Sequence, residues 1–566
     1  MRGLMMDYQL SITTVARRAE ALFRQKSVIS RRPDKTIVRH RYAEVLDRAK
    51  RLAVALAALG VRRGDRVATL AWAGHEHLEA YLAIPSIGAV LHTLNLRLHT
   101  DDLAYIINDA DDRVLILDES LLPLFEKLKS QVKIKHVVVI AQGPAGVGSG
   151  VSSQAPVGSG FSRTDASGGG GFVDFEQLLA SVDPDRYVEP AIDEHEAAAM
   201  CYTSGTTGRP KGVVYSHRAI LLHSLAQGLR DCLALAEDDT VLPIVPMFHA
   251  NAWGLPFTAT WFGCNQVFPG PHLDPQSVLS LLVSEKVTLT AGVPTVWLGV
   301  LQELDKNPGA YDLRHLRAIV IGGSAAPVSM IRAYQERHGL KIVHAWGMTE
   351  MTPLGTLCNL PASMREAPTD EQYRYRAKQG TPMPLVEIRA RGERGLTPWD
   401  GQTMGELEVR GPWIASEYYN AQGADSRFTD DGWFKTGDIV TIADRGCIEL
   451  TDRAKDLVKS GGEWISTVAL ETALMGHPAV AEAAVIAVPH PKWDERPLAV
   501  VVLKQGRSAT PEELVKFLEP GFAKWWLPDA IEFIDEIPKT SVGKFKKSTL
   551  RERFRQRYQG TPSRPA

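Results

Sequence analysis

The segment CYTSGTTGRPKGVVYSH, residues 201–217, concentrates small hydroxyl side chains and two glycines, Gly205 and Gly208, just before one lysine, Lys211. Glycines let backbone N–H groups come close to an anion, and the hydroxyls can donate further hydrogen bonds. A lysine adds a mobile positive charge. The segment therefore predicts a binding site for a polyphosphate, in which the donors are supplied by Thr203, Ser204, Gly205, Thr206, Thr207 and Gly208.

The spacing in this loop differs from that of a Walker A motif, which is GxxxxGK[S/T] leading into a helix. Here Gly205 and Gly208 are three residues apart, Lys211 follows three residues later, and the next residues, GVVYSH, are typical of a strand. We therefore predict a glycine- and hydroxyl-rich turn between two strands. The alternative, a flexible polar hairpin loop, would have no use for this density of donors.

Five further segments carry groups that could do chemistry. They are VPMFHANAW (245–253), AWGMTE (345–350), GWFKTGD (432–438), DRAKDLVKSGGEWIS (452–466) and PKTSVGKFKK (538–547). Taken alone, Glu350 would be a surface or capping residue, Asp438 a turn residue, and the lysines around Lys544 a solvated cluster. Together with YTSGTTGRPKG, and in this order, the segments resemble the adenylate-forming superfamily, which includes acyl-CoA synthetases, firefly luciferases and the adenylation domains of peptide synthetases. Within it, the chain is most similar to fatty acyl-CoA synthetases.

The resemblance implies a reaction in two steps. A carboxylate attacks the α-phosphate of ATP and releases pyrophosphate, and the thiol of CoA then displaces AMP from the acyl adenylate. ATP, Mg²⁺ and CoA are therefore the implied cofactors and co-substrates. Because the first step brings an anion to a polyphosphate, the site must supply positive charge and exclude water.

The resemblance also assigns residues to the nucleotide site. Lys544 matches the catalytic lysine, Thr349 a phosphate contact that also counts as catalytic, and Asp438 the carboxylate that accepts both ribose hydroxyls. Glu350, together with Thr203, matches the Mg²⁺ site. The other residues implied to contact ATP or AMP are Gly323, Ser324, Ala325, Trp346, Gly347, Met348 and Arg453.

The same resemblance implies which residues line the acyl pocket, form the hinge and line the CoA channel. His249 matches a catalytic position that lines the acyl pocket and moves between the two steps, Trp253 matches an aromatic gate, and Val293 and Gly322 add pocket wall. Lys455 matches a hinge about which the C-terminal module rotates. The implied CoA channel is lined by Ser460, Gly461, Gly462, Glu463 and Trp464.

An apolar pocket discriminates poorly between acids that differ by single methylene groups. The resemblance favours medium- to long-chain fatty acids, and a short-chain or methylthio acid stays open. A stand-alone enzyme that loads a carrier protein is a further alternative, and a luciferase-like oxygenase is a weaker one. A non-catalytic binding protein should have lost Lys544, Glu350 or Asp438, and all three are present.

Alternating helix and strand patterns predict an α/β fold with mostly parallel pairing. We predict a large N-terminal region of layered α/β subdomains over residues 1–452, which includes a small β unit at about 380–451. A small, mobile α+β C-terminal domain should follow over 453–566. Residues 142–171 are rich in Gly, Ser, Ala and Pro and cannot bury enough apolar area to order themselves, so we predict a surface insertion, with a regulatory or partner-binding loop as the alternative.

The formal net charge of the 566 residues is −2, so no global field would recruit nucleic acid. The five cysteines are far apart and form no CxxC pair, which predicts neither a zinc site nor a disulfide framework and fits a reducing cytoplasm. The N-terminal residues have no continuous apolar core of a signal peptide, and no run reaches the ~18 apolar residues of a membrane span. We expect a cytoplasmic protein that acts on small molecules, and leave open a homodimer and a peripheral membrane contact.

Overall fold

The structure, a computed structural model, describes residues 1, 3–141, 172–203, 209–421, 425–460, 463–539 and 545–558. The predicted surface insertion, residues 142–171, lies outside these ranges. So do residues 204–208 of the predicted phosphate loop, 461–462 of the predicted CoA channel, and Lys544. No helix within the described ranges is long and apolar enough to cross a lipid bilayer.

Two large sheets form the body of the N-terminal region. Their strands are β1 (Ser27–Arg31), β2 (Ile37–Arg41), β3 (Arg66–Leu70), β4 (Val90–Thr93), β5 (Asp112–Asp118), β6 (His136–Ile140), β7 (Phe172–Asp174), β8 (Ala197–Tyr202), β9 (Gly212–Ser216), β10 (Thr240–Pro243), β11 (Asn265–Phe268), β12 (Leu289–Gly292), β13 (Ala318–Ile321), β14 (Ile342–Gly347), β15 (Leu354–Cys358) and β16 (Thr381–Pro382).

Helices alternate with these strands. They are α1 (Ile12–Leu22), α2 (Tyr42–Ala58), α3 (His75–Ser86), α4 (Thr100–Ala110), α5 (Leu122–Leu128), α6 (Phe175–Ala180), α7 (His217–Gly228), the single turn α8 (Ala250–Trp253), α9 (Leu255–Phe262), α10 (Pro275–Ser284), α11 (Pro294–Lys306), α12 (Val328–His338) and α13 (Thr369–Arg376).

Helix α2 shows how the sequence pattern produces an element. It buries Val45, Ala49, Leu52 and Leu56, which recur at helical spacing and form the stripe that packs on the core. The chain then leaves the helix at Gly60, whose φ of +86° is a conformation that glycine adopts without a steric penalty. Apolar residues at helical spacing over 44–60 predict a helix that stops at Gly60, and the structure has this helix over Tyr42–Ala58.

The nine-stranded sheet has the order β16-β15-β14-β13-β12-β10-β11-β1-β2, and the strands from β14 to β1 in this order are parallel. The seven-stranded sheet has the order β7-β6-β5-β3-β4-β8-β9 and is parallel except at β9. The predicted α/β class with mostly parallel pairing is therefore confirmed. Parallel strands bring their carboxyl ends to one edge of the sheet, where the site described below lies.

A small antiparallel sheet follows, in the order β18-β17-β19-β20-β21, and is the small β unit of the predicted fold. Its strands are β17 (Glu387–Gly392), β18 (Gly395–Leu396), β19 (Gly405–Arg410), β20 (Phe434–Ile442) and β21 (Ile448–Arg453).

The C-terminal part is a smaller α+β unit built around one sheet. Its elements are β22 (Val458–Ser460), β23 (Glu463–Ile465), α14 (Thr467–Met475), β24 (Val480–His490), β25 (Asp494–Leu503), α15 (Pro511–Leu518), β26 (Ala530–Phe533) and α16 (Lys547–Phe554). Its buried apolar residues form two clusters whose members all lie between Val458 and Tyr558. The boundary at residue 453 and the mobility of this unit stay predictions.

Candidate active site

Several candidate segments meet at one edge of the nine-stranded sheet. β12, β13 and β14 are parallel neighbours, so their carboxyl ends lie side by side. The crevice outside such ends is where open α/β sheets bind ligands. The candidate residues that end or directly follow these strands are Val293, Gly322, Gly323, Ser324, Ala325, Gly347, Met348, Thr349 and Glu350.

The two ends of the predicted phosphate loop are joined to each other. β8 and β9 are antiparallel, the N–H of Thr203 donates to the carbonyl of Lys211 over 2.9 Å, and the N–H of Lys211 donates to the Thr203 hydroxyl over 3.1 Å. The predicted turn between two strands is confirmed at its ends. The donors that we assign to residues 204–208 lie outside the described residues.

The ammonium group of Lys211 has an acidic partner close by. Its Nζ lies 2.5 Å from Oδ2 of Asp425 and 4.5 Å from the centroid of the Tyr418 ring, and the side chain is 47% exposed. Sequence reasoning missed Asp425 and Tyr418, because they lie between recognisable motifs. The only feature of the sequence that could have pointed to them is that they precede GWFKTGD. The ammonium group has three N–H donors and is partly exposed, so it can also contact a phosphate.

Glu350 is buried, with 3% of its surface exposed. Its Oε1 accepts a hydrogen bond of 2.6 Å from the Tyr418 hydroxyl and lies 3.2 Å from Nη1 of Arg427. A buried carboxylate is costly unless it is paired, and these two donors offset that cost. Arg427 is a third residue that sequence reasoning missed.

The donor chemistry around Glu350 fits Mg²⁺. This ion prefers oxygen ligands and is usually bound by one or two carboxylates together with substrate phosphates and water. The Glu350 carboxylate and the Thr203 hydroxyl supply such oxygens. Among the described residues there is no group of three or more His, Cys, Asp or Glu that could hold a metal ion.

Asp438 sits in a cradle formed by two elements. The indole Nε1 of Trp346, on β14, donates to Oδ2 over 2.9 Å, and Arg453, the cross-strand neighbour on β21, places Nε 3.2 Å from Oδ1. The Arg453 contact is not aligned as a hydrogen bond, so Oδ1 is a buried acceptor without a hydrogen-bond partner among the described residues. The attraction of the Asp438 carboxylate raises the pKa of Arg453. A buried carboxylate oxygen that is ion-paired but accepts no hydrogen bond within the described part of the chain suits a ligand hydroxyl.

Trp253, the predicted gate residue, and Gly322, a predicted wall residue, are in contact. A Cβ added to Gly322 would lie 3.1 Å from Cη2 of Trp253 and 2.8 Å from the carbonyl oxygen of Ala345, so only glycine fits beneath the indole. Trp253 is buried. Ala345 directly precedes Trp346, and this apolar contact therefore adjoins the Asp438 cradle.

The turn that carries Trp253 is strained. The φ angles of Ala250, Asn251, Ala252 and Trp253 are +44°, +53°, +51° and +57°, where side chains other than glycine pay roughly 1–3 kcal/mol each. The turn is held by a hydrogen bond of 2.8 Å from the Gln227 amide to the Trp253 carbonyl. Half-buried His249 immediately precedes the turn. Backbone strain of this kind persists only where the surrounding structure imposes it.

The predicted hinge and CoA residues lie along the start of the C-terminal unit. Lys455 is exposed in the turn between β21 and β22. Ser460 is buried and accepts a hydrogen bond of 3.0 Å from Arg496, whereas Trp464 is 37% exposed. The structure thus separates Ser460, which is held inside, from Trp464 at the surface, and the CoA-binding role of both stays a prediction.

These features bring polar side chains and the apolar contact between Gly322 and Trp253 to one region of an α/β fold. The sequence matches the AMP-binding enzyme family over residues 22–419 and the AMP-binding enzyme C-terminal domain over residues 469–544. The chain therefore belongs to the AMP-binding enzyme family, and the predicted membership of the adenylate-forming enzymes is confirmed.

Curated relatives match along nearly the whole chain. It is 48% identical to a long-chain-fatty-acid–CoA ligase of Thermus thermophilus, and 98% of each chain is covered. It is 42% identical to a 3-methylmercaptopropionyl-CoA ligase of Ruegeria lacuscaerulensis, which covers 98% of this chain and 99% of the relative. It is 40% identical to a medium-chain-fatty-acid–CoA ligase of Ectopseudomonas oleovorans, with 98% of each chain covered.

A solved structure supports the same assignment of fold. The crystal structure of an anthranilate CoA ligase in complex with anthranoyl-AMP superposes with a TM-score of 0.82 at 25% sequence identity. The match covers 97% of this chain and 98% of the other.

Proposed function

We propose that the chain is an ATP-dependent acid–CoA ligase that forms an acyl adenylate and then an acyl-CoA thioester, with medium- to long-chain fatty acids as substrates. The observation that carries this proposal is the junction at Ala345 and Trp346. The carbonyl oxygen of Ala345 lies against Gly322, beneath the Trp253 indole. The indole N–H of Trp346 donates to Asp438. An apolar chain and a nucleoside would therefore lie side by side, as acyl transfer to AMP requires.

Different residues have different roles in the first step. Oδ1 of Asp438 accepts the ribose hydroxyls, while Trp346 holds Oδ2 and keeps the carboxylate oriented. The loop donors and Lys211 bind the outer phosphates, and Lys544 stabilises the negative charge that builds up on the α-phosphate. Mg²⁺, when bound by Glu350 and Thr203, would neutralise phosphate charge. Such preorganised donors stabilise developing charge best where water is excluded.

The second step needs the CoA thiol to reach the acyl adenylate. Lys455 lies in an exposed turn at the junction of β21 and the C-terminal sheet, which is where a rotation of the C-terminal unit would take place. Such a rotation would remove Lys544 and bring the strip from Ser460 to Trp464 to the site. Hinges absorb their φ/ψ change at a few residues of this kind.

A short methylthio acid is the second candidate substrate, because the 42% identical relative is named for that activity. A substrate panel separates the two. We expect release of AMP and pyrophosphate with saturated acids between octanoate and stearate, dependent on ATP, Mg²⁺ and CoA. Turnover only with 3-methylthiopropanoate or butanoate would favour the second candidate. Pyrophosphate exchange without any thioester formation on CoA would favour a carrier-protein substrate, and no AMP with any acid would refute the proposal.

The Glu350→Gln substitution tests the metal assignment. The glutamine side chain keeps an oxygen that can accept from Tyr418 but loses the negative charge that attracts a hard cation. We expect the Mg²⁺ concentration for half-maximal activity to rise roughly tenfold, the effect of losing ~1.4 kcal/mol, while the KM for the acid stays unchanged. Exposed Glu366→Gln is the control. An unchanged Mg²⁺ requirement would contradict the role of Glu350.

The Gly322→Ala substitution tests the acyl wall. The added methyl group would lie 2.8 Å from the Ala345 carbonyl oxygen and must displace either β14 or the Trp253 indole. We expect the KM for the acid to rise roughly tenfold, because loss of apolar contact costs ~1–3 kcal/mol. Gly392→Ala is the matched control, since its added Cβ approaches no atom closer than 3.4 Å. A normal KM for the acid in a stably folded variant would contradict the assignment.

A further inference from the structure

The side chain of Tyr202 links the start of the predicted phosphate loop to helix α4. Tyr202 is the last residue of β8, and its hydroxyl donates a hydrogen bond of 2.6 Å to Oδ2 of Asp109, near the end of α4. Both residues are half-buried. A hydrogen bond to a carboxylate is shorter and stronger than one between neutral groups. This contact involves none of the residues assigned to ATP, yet it lies one residue away from Thr203.

The ring of Tyr202 packs against the residue that follows Lys211. β8 and β9 pair so that Tyr202 lies opposite Gly212. A Cβ added to Gly212 would lie 3.1 Å from Cζ of Tyr202 and 3.3 Å from its hydroxyl oxygen, so the hydroxyl-bearing end of the ring lies directly over this glycine. The position of Tyr202 therefore limits where the backbone next to Lys211 can lie.

A second segment also packs against Gly212, and it is the one that directly follows Tyr418. The N–H of Tyr419 donates to the Gly212 carbonyl over 2.9 Å. The side-chain amide of Asn420 then donates to the backbone carbonyl of Asp109 over 3.1 Å. The end of α4 is thus bonded both to the strand before the loop and to the segment whose tyrosine contacts the lysine and the buried glutamate of the site.

The chain that leaves the predicted loop also contacts α4. The guanidinium carbon of Arg209 lies 5.2 Å from the centroid of the Tyr105 ring, which is a cation–π distance. Tyr105 and Asp109 are four residues apart on the helix, so their side chains lie on the same face. One face of α4 therefore contacts a residue before and a residue after the loop.

We propose that Tyr202 and Asp109 are positioning residues for the outer phosphates of ATP. The hydrogen bond between them holds the ring over Gly212 and so keeps Lys211 in place before ATP arrives. Groups that are ordered in advance lower the free-energy cost of binding. This inference rests on the proposed function, which makes Lys211 a contact of the outer phosphates.

The carboxylate of Asp109 has the same sign of charge as ATP. A carboxylate near a polyphosphate repels it, so removal of a negative charge that is merely nearby should strengthen ATP binding. Loss of an anchor should weaken ATP binding. The direction of the change in affinity therefore separates a positioning role from a purely electrostatic one.

The test compares the affinity for ATP with that for AMP, which lacks the outer phosphates. In Tyr202→Phe the ring is kept and only the hydroxyl is lost. We expect the Kd for ATP with Mg²⁺, measured by calorimetry without acid, to rise roughly tenfold, an effect within the range for losing a hydrogen bond to a charged group. The Kd for AMP should stay unchanged. Asp109→Ala should show the same split, and Asp109→Asn should lose far less, because its amide oxygen can still accept from the tyrosine.

The matched control is Tyr311→Phe, since the Tyr311 hydroxyl also donates to a carboxylate, that of Glu303, over 3.2 Å. Tyr311 lies between α11 and β13, at the amino end of a parallel strand and so at the opposite edge of the sheet from the site. This variant should keep both Kd values. In all variants, thioester formation from a supplied acyl adenylate should stay within a few-fold of the wild-type rate, because that step needs no outer phosphates.

Wild-type affinity for ATP in Tyr202→Phe and Asp109→Ala would overturn the inference and leave the proposed function intact. Equal losses for ATP and AMP would also overturn it, since they would indicate general damage to the nucleotide site. Tighter ATP binding in Asp109→Ala would indicate repulsion alone. If Asp109→Ala folds poorly, Tyr202→Phe, which removes a single oxygen atom, decides the question. A wild-type protein that binds no ATP would instead refute the proposed function itself, and the inference with it.

Discussion

Replacing Lys544 by alanine should lower the rate of acyl-adenylate formation by ~10²–10³, the usual effect of removing one donor that stabilises a transition state. The carboxylate and the α-phosphate are both negative when they meet, and the proposed function makes this ammonium group the bridge between them. The second step has no such encounter of anions. Thioester formation from a supplied acyl adenylate and CoA should therefore stay within a few-fold of the wild-type rate.

Two half-reactions measured on the same preparation distinguish these steps. Adenylation is followed by pyrophosphate release without CoA, and thioester formation by the release of AMP from synthetic acyl adenylate. Exposed Lys546, two residues away, provides the control, because Lys546→Ala removes the same charge from the same cluster. Equal loss of both half-reactions in Lys544→Ala would contradict a role confined to the first step.

The fold can be predicted from the sequence wherever one helix or strand buries a regular stripe of apolar residues. The spacing of apolar residues in α2, and the continuous apolar run of β5, leave few alternatives to a helix and a buried parallel strand. The antiparallel strands β2, β15 and β16 carry no such signal. Strand order also depends on contacts between segments that are far apart in the chain, which periodicity does not encode.

The candidate site, like the fold, could be predicted from the sequence only in part. Motifs identify Asp438, Trp346 and Glu350, but they say nothing of which neighbours pair with them. Tyr418 and Arg427 reach Glu350 from a segment without a recognisable motif, and their types are common on any protein surface. Such partners are determined by the packing of the small antiparallel sheet on the nine-stranded sheet, and only the folded chain displays them.

The strained turn at residues 250–253 could not be predicted for a different reason. Alanine and tryptophan rarely adopt positive φ, so local preference argues against the observed conformation. Tertiary contacts such as the Gln227 amide on the Trp253 carbonyl impose it. Places where local preference fails in this way are concentrated at functional sites, which supports the role that the resemblance gives to Trp253.

Replacing Asp438 by asparagine should raise the KM for ATP by about 10- to 100-fold, because hydrogen bonds to a charged group contribute ~1.5–3 kcal/mol. The asparagine side chain can still accept from the Trp346 indole through its amide oxygen, so the buried contact on that side survives. The atom that replaces Oδ1 becomes an N–H₂ donor and can no longer accept a ribose hydroxyl. The same change removes the charge that faces Arg453. Steady-state kinetics with ATP as the varied substrate measure the effect.

A purely structural role for Asp438 would also weaken ATP binding, so the decisive readout is discrimination between nucleotides. The wild-type enzyme should use 2′-deoxy-ATP far less well than ATP, since the deoxynucleotide lacks one hydroxyl that the carboxylate accepts. In Asp438→Asn this preference should largely disappear, because the partner of that hydroxyl is gone. Asp444→Asn, in the exposed turn before β21, should keep both the KM and the preference. A variant that binds ATP weakly but still rejects 2′-deoxy-ATP as strongly as the wild type would show that another group recognises the ribose.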